Sequence, residues 1–248
     1  MSFFVTVLGS SGMFGTPERA CAGYLLEFGH KKIWLDAGAG SWRNLLRSHD
    51  YASIDGVILT HRHPDHTSDI FIADHAFQWG GPEPLPPVPL WAPAETIERL
   101  TAFAPDLDAS FILTTVAAGD TIDVEGAKVA FTEMAHPPET VGVRAEFDGA
   151  VLAYSADSGP EADFHGLASG VDLFLCEANL QDSDDTWEGH LRASQAGEIF
   201  ASLGSRRMVV THLPPGRDHA ASLEQARGKA PGLDVTLAND GDRLEVGS

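Results

Sequence analysis

Short apolar runs separated by polar breaks extend along most of the chain, and they fall into two periodicities. Phe3–Leu8, Tyr24–Phe28, Lys32–Leu35, Gly56–Leu59, Val88–Trp91, Phe111–Thr115, Lys128–Met134, Val141–Phe147, Val151–Tyr154, Val171–Cys176, Met208–Thr211, Val235–Ala238 and Arg243–Val246 read as strands, several of them rich in Val, Ile and Phe. Helical spacing occurs at 41–48, 67–78, 94–104, 192–203 and 219–229. Ser41 is the expected cap of the first helix, and Pro93 with Glu95 in the first turn marks the third. The first half reads as mostly hairpin-like strands, and the last third alternates strand and helix. Two mixed β-sheets packed face to face with helices outside, an α/β (αββα) sandwich, satisfy both patterns. Neither a repeat nor a linker interrupts the chain, so a single domain over 1–248 is expected. The one biased stretch, GGPEPLPPVP at 80–89, reads as a stiff surface connector, with a lid or dimer contact as the sharper reading.

Composition narrows the class. The 248 residues are 43% hydrophobic and 21% charged, which is globular. The start, MSFFVTVLGS, lacks a basic n-region, and no apolar stretch approaches a membrane span. Cys21 and Cys176 lie in unrelated segments, so free thiols and a cytoplasmic location are expected. Net charge is −20, with no cluster of Lys and Arg, which weighs against nucleic acid as a partner.

Candidate chemistry concentrates in LTHRHPDHTSD at 59–69. His61 and His63 are two apart, and on extended chain such residues project to the same side, so two imidazoles reach one ion. Pro64 then turns the chain, and Asp65 and His66 point elsewhere, towards a second ion. One segment thus supplies ligands to two metals. A solvated histidine-rich loop is the plain alternative, but packing gives no reason for such density after an apolar strand. The imidazole and carboxylate mixture suits two divalent ions, zinc first, with manganese or iron(II) as alternatives. Further ligand candidates each follow a strand-like run: His136, Asp157 and His212.

The order HxHxDH, then AHP, YSADSG and VVTHLPP, resembles the metallo-β-lactamase superfamily, and TVLGSSG and LDAG near the start look like it too. The resemblance implies that His61, His63 and His136 bind one metal, that Asp65, His66 and His212 bind the other, and that Asp157 bridges them. True β-lactamases of this fold generally carry cysteine at the Asp157 position, so aspartate argues against that activity. Asp36 in LDAG reads either as a carboxylate orienting a liganding histidine or as a turn residue before glycine. EGHLRASQAGEIF resembles the ribonuclease Z-like branch, where a histidine at the His190 position pairs with a glutamate like Glu177 in FLCEANL. Such a pair suits a general acid; the plain alternatives are a helix-terminal residue and a strand-end carboxylate. His30, His49, His75, His165 and His219 read as ordinary.

Two metals clamping an in-line displacement, Asp65 orienting or deprotonating the attacking water, and His190 with Glu177 protonating the leaving oxygen describe phosphodiester hydrolysis. Ribonuclease Z usually carries a long tRNA-gripping arm between the His136 and Asp157 positions, whereas here strand-like runs already fill that interval. The segments AHPPETVGVR, LAYSAD and VDLFLCEA resemble bacterial cyclic-nucleotide phosphodiesterases of this fold, with Ala156 and Ser158 where Gly and Thr are frequent. The resemblance therefore implies a small phosphodiester substrate of the 3′,5′-cyclic nucleotide (cAMP) type and no membrane, with a homodimer plausible. A tRNA 3′-processing endonuclease, a 2′,3′-cyclic or phosphonate phosphodiesterase and a lactonase-type acyl hydrolase stand as alternatives, as does a sensor without turnover. Arg62, Arg144 and Arg217 are candidate phosphate or base contacts, with a solvated arginine as the plainer reading of each.

Overall fold

The apolar runs pair into two seven-stranded sheets among the described residues of the computed structural model, which are 2–185 and 187–247. The first contains β1 (Phe3–Gly9), β2 (Gly23–Phe28), β3 (Lys31–Ala37), β4 (Gly56–Ile58), β5 (Val88–Ala92) and β6 (Phe111–Thr115), with β14 (Arg243–Glu245) on the outer side of β1. The second runs in the order β13-β12-β11-β10-β9-β8-β7. Its strands are β7 (Thr121–Val124), β8 (Ala127–Glu133), β9 (Val141–Phe147), β10 (Ala150–Tyr154), β11 (Leu173–Glu177), β12 (Arg207–Thr211) and β13 (Asp234–Leu237).

Both sheets are mixed. β1, β2 and β3 form an antiparallel meander, but β3 through β6 are parallel. That corrects the expectation of mostly hairpin-like strands in the first half. Helices α1 (Ser41–Ser48), α2 (Pro64–Thr67) with α3 (Ile70–Trp79), and α4 (Ala94–Phe103) separate the strands, and a helical crossover returns the chain to the end where it started. In the second sheet β7 to β10 form a meander, and β10 to β13 are parallel. Their crossovers carry α5 (Phe164–Ala168), α6 (Ala193–Leu203) and α7 (His219–Lys229).

Alternation within single strands builds three layers of core. In β11, Leu173 and Leu175 meet Val5, Leu26 and Leu35 of the other sheet in the central core, while Phe174 and Cys176 face Phe200 and Ala196 of α6. Trp34 and Leu25 likewise turn outward to Leu45, Phe77 and Leu100 of α1, α3 and α4. Strands buried on both faces have no polar side, so they read in sequence as continuous apolar runs.

Local departures have local causes. The helix expected at 67–78 is broken, because Asp69 leaves the helical hydrogen-bond pattern between α2 and α3 and its carboxylate accepts from the Trp42 amide at 2.8 Å. That bond caps α1, so Ser41 is not the cap; it is the first helical residue, and its hydroxyl donates to the Gly38 carbonyl. β7 and α5 had no sequence signal: β7 is a largely exposed edge strand, and α5 is too short to show a period. Residues 80–87 join α3 to β5 without regular structure, as a connector would. Among the described residues, no helix is long and apolar enough to cross a membrane.

Candidate metal centre

The chemistry gathers where strands of both sheets end. β8, β10, β11 and β12 run in one direction, and the residues after their carboxyl ends include His136, Asp157, Glu177 and His212. From the other sheet, the turn after β4 brings His61, His63, Asp65 and His66, and β3 brings Asp36. Ligands placed past strand ends inherit the rigidity of the hydrogen-bonded ladder behind them.

Two groups form around one carboxylate. In the first, His61 Nε2 lies 3.1 Å from His63 Nδ1, and His136 Nε2 lies 3.2 Å from the same atom. Asp157 Oδ2 stands 3.6 Å from His61 Nε2 and 3.8 Å from His136 Nε2. In the second, His66 Nε2 and His212 Nε2 are 3.3 Å apart, with Asp157 Oδ1 at 3.1 and 3.2 Å from them. Asp65 Oδ2 is 3.3 Å from His212 Nε2 and also accepts from the Met13 amide at 2.8 Å. Asp157 thus presents one oxygen to each group. All seven residues predicted as ligands converge, and within each group the donor atoms lie within 4.8 Å of one another.

The hydrogen bonds around these rings test whether the groups fit cations. His136 Nδ1 donates to the Gly189 carbonyl at 2.7 Å, and His66 Nδ1 donates to Asp36 Oδ2 at 2.7 Å. A carbonyl or carboxylate only accepts, so both rings carry the proton on Nδ1, and in the neutral form Nε2 presents a lone pair. Those lone pairs point at other imidazole nitrogens and at Asp157. Asp157 Oδ1 is buried without a well-directed hydrogen bond, although two histidines lie within 3.2 Å of it. Acceptors converging on a common point without donors between them fit divalent ions.

Electrostatics agree for His61 and Asp157. Burial holds the His61 imidazole well below its ordinary pKa, so it is neutral, the form that ligates. Burial alone would raise Asp157, but His212 and His66 hold it well below the usual carboxylate range. His66 differs: burial penalises its charge, yet Asp157, Asp36 and Asp65 carry it well above the ordinary histidine value, so an ion bound there has to displace the Nε2 proton.

Asp36 takes the orienting role left open by the sequence. It is fully buried and accepts from the Thr60 amide at 2.8 Å, the Tyr154 hydroxyl at 3.0 Å and His66. Its backbone is left-handed, at φ 57°. Six non-glycine residues share that region among those described; Met13, Asp36, Ala156 and His212 flank this centre, and Glu125 and Asp148 sit in hairpin turns. Strain concentrated at one place marks a site where position outranks comfort. Ala156, at φ 51°, occupies the position where glycine is frequent in the resembling family, and its conformation gives the reason.

Glu177 and His190 also meet. Glu177 is fully buried, and His190 Nδ1 lies 2.7 Å from its Oε1. The carboxylate is held by the Ser158 and Asn179 amides, each at 2.9 Å. Burial pulls the His190 imidazole down, but Glu177 more than offsets this and lifts it to about 9. His190 groups with Asp157 and His212, so the pair borders the second cluster.

The three arginines are committed elsewhere. Arg62 donates to Glu95, Arg144 to the Leu167 and Ser169 carbonyls, and Arg217 to Asp184 and Gln181. Sequence reasoning missed the supports: Tyr154 read only as a strand residue, Thr60 acts through its amide and its hydroxyl, Gly189 through its carbonyl, and Trp187 stacks edge-on against His136. Backbone groups carry no residue signature, so Tyr154, Thr60 and Trp187 alone could have been found, as side chains beside ligand motifs.

A family model described as a β-lactamase superfamily domain matches residues 31–213. An uncharacterized protein of Mycobacterium tuberculosis is 32% identical over 245 residues, covering 94% of this chain and 88% of the relative. The probable metallo-hydrolase YhfI of Bacillus subtilis is 28% identical, covering 96% of this chain and 97% of its own. The crystal structure of YhfI superposes with a TM-score of 0.90 over 99% of this chain and 100% of that one, at 25% identity. A ribonuclease Z of Kineococcus radiotolerans is 28% identical, covering 98% of this chain and 95% of the relative.

Proposed function

The chain belongs to the β-lactamase superfamily, and from that premise we propose that it is a metal-dependent phosphodiesterase acting on 3′,5′-cyclic nucleotides of the cAMP type. His61, His63 and His136 with one Asp157 oxygen would hold one divalent ion, and Asp65, His66 and His212 with the other oxygen a second. Zinc suits this nitrogen-rich set, with manganese or iron(II) as alternatives. When bound, the metals supply Lewis-acid charge for the phosphoryl oxygens and a nucleophilic water at neutral pH.

The chain's own residues do the rest. Asp65, fixed by the Met13 amide, orients the attacking water or takes its proton. His190, with Nδ1 committed to Glu177, turns its other nitrogen to the leaving oxygen and protonates it. The single observation that carries the phosphodiester reading is this buried Glu177–His190 pair beside Asp157 and His212. A poor alkoxide leaving group needs such an acid.

The interval between His136 and Asp157 supports a small substrate. β9 and β10 fill it and join through the tight Asp148–Gly149 turn, so no arm extends there to grip RNA. The net charge of −20 points the same way. The ribonuclease Z relative favours the second reading, tRNA 3′-end cleavage.

A turnover panel with Zn²⁺- or Mn²⁺-loaded protein separates the readings. The substrates are bis-p-nitrophenyl phosphate, 3′,5′-cAMP, 2′,3′-cAMP, precursor tRNA and a homoserine lactone. Hydrolysis of 3′,5′-cAMP is expected to lead. Lactone hydrolysis without any phosphodiester turnover would overturn the proposal, and preference for precursor tRNA would establish the second reading.

A further inference from the structure

Large apolar side chains stand exposed at the rim of the metal centre. Trp187 is 47% exposed, and its ring lies 4.7 Å from the His190 ring and 5.5 Å from the His136 ring, centroid to centroid. Met13 and Phe14 are about as exposed, and the Met13 amide binds Asp65. The Trp187 ring therefore touches a residue of the first cluster, and the Met13 backbone touches a residue of the second.

The residues that follow Trp187 are anchored by backbone contacts. A Cβ at Gly159 would lie 1.6 Å from the Glu188 carbonyl oxygen, so backbone packs on backbone there. The Gly189 carbonyl accepts from His136 Nδ1, and the Trp187 ring lies over Gly189, where a Cβ would come within 2.6 Å of it. On the preceding side, Asp184 is pinned by Arg217 and by the Gln181 amide. A half-exposed tryptophan on an anchored segment is a preformed flat surface that loses little freedom on binding.

From these observations we propose that Trp187 is the stacking platform for the heterocyclic base of a mononucleotide substrate, with Met13 and Phe14 completing the apolar rim. The inference rests on the phosphodiesterase reading and deepens it. A phosphorus atom held at the clusters puts the base one sugar away, and Trp187, in contact with His136 and His190, is an exposed aromatic face beside them. The arginines that would otherwise hold the nucleotide are occupied by Glu95, Asp184 and backbone carbonyls. Affinity beyond the metals then falls to apolar contact, and aromatic faces accept any base.

Adenosine 5′-monophosphate and ribose 5-phosphate differ by the base alone and serve as probes. Their binding to metal-loaded protein is measured by calorimetry, and their inhibition by the hydrolysis of bis-p-nitrophenyl phosphate. Wild type is expected to prefer the nucleotide by about tenfold or more. Trp187→Ala should collapse that ratio towards one with metal content unchanged, and Trp187→Phe should keep most of it. Equal binding of both probes by wild type, or an unchanged ratio in Trp187→Ala, would overturn the platform whatever the turnover. Absent phosphodiester turnover with Trp187-dependent nucleotide binding would instead remove the phosphodiesterase reading and leave the platform standing.

Discussion

His190 has one ring nitrogen committed to a buried carboxylate and no described hydrogen bond on the other. If the free nitrogen delivers a proton, His190→Ala should keep its metals and lose about 10²–10⁴-fold in kcat; metal loss measured by elemental analysis would make it a ligand instead. The sign of the pH effect follows. The protonated ring is the donor, so its contribution is present at low pH and lost as pH rises through the pKa. Glu177 raises that pKa, which moves the loss to the alkaline side. Wild type should show an alkaline limb in kcat against pH that His190→Asn lacks; identical limbs would refute the role. Ala156 offers a test of strain. A left-handed alanine costs about 1–2 kcal/mol, and the greater freedom of unfolded glycine returns up to about 1 kcal/mol of that. Ala156→Gly should therefore fold at least as stably as wild type in urea melts, and a loss above about 1 kcal/mol would show that the methyl group carries packing.

Elements act here by where they stop. Strand ends from both sheets deliver the ligands, and their neighbours' backbone groups aim them, as the Gly189 carbonyl aims His136. The contact of Gly159 with Glu188 couples the turn after β10 to the segment leading into α6. Gly159→Ala should push these apart. It is expected to cost about 1–3 kcal/mol, as overpacking does, and to lower kcat more than metal content. Wild-type stability and turnover would show that the two segments are independent. Most strands were legible because burial on both faces leaves unbroken apolar runs. The parallel order of β3 to β6 was not, because a strand's own residues carry no mark of its neighbour's direction. Nor was the break at Asp69, whose carboxylate caps a helix that begins 28 residues earlier in the chain.

At the scale of the whole molecule, the metals would also be structural. Four carboxylates, those of Asp36, Asp65, Asp157 and Glu177, are buried with five histidines between the two sheets. Each divalent ion bound to the folded state alone would add about 3 kcal/mol at a hundredfold excess over its Kd, so a full pair would add roughly 10–20 °C in Tm for a chain of this length. Chelation should lower Tm by that amount and Zn²⁺ should restore it; a Tm indifferent to chelator would mean that the clusters hold no resident metal.

The sequence alone determined the identity of the candidate ligands, because chemistry that needs imidazole and carboxylate can be met by few residue types, and HRHPDH places four of them in six positions. It also determined the layered fold, since strands apolar on both faces must be covered on both. Tertiary structure alone decided what surrounds those ligands. Tyr154 against Asp36, Gly189 against His136 and Trp187 over the rim are contacts between segments that the chain keeps far apart or through atoms every residue shares. Such contacts arise from the meeting of two sheets, and no local pattern of side chains encodes that meeting.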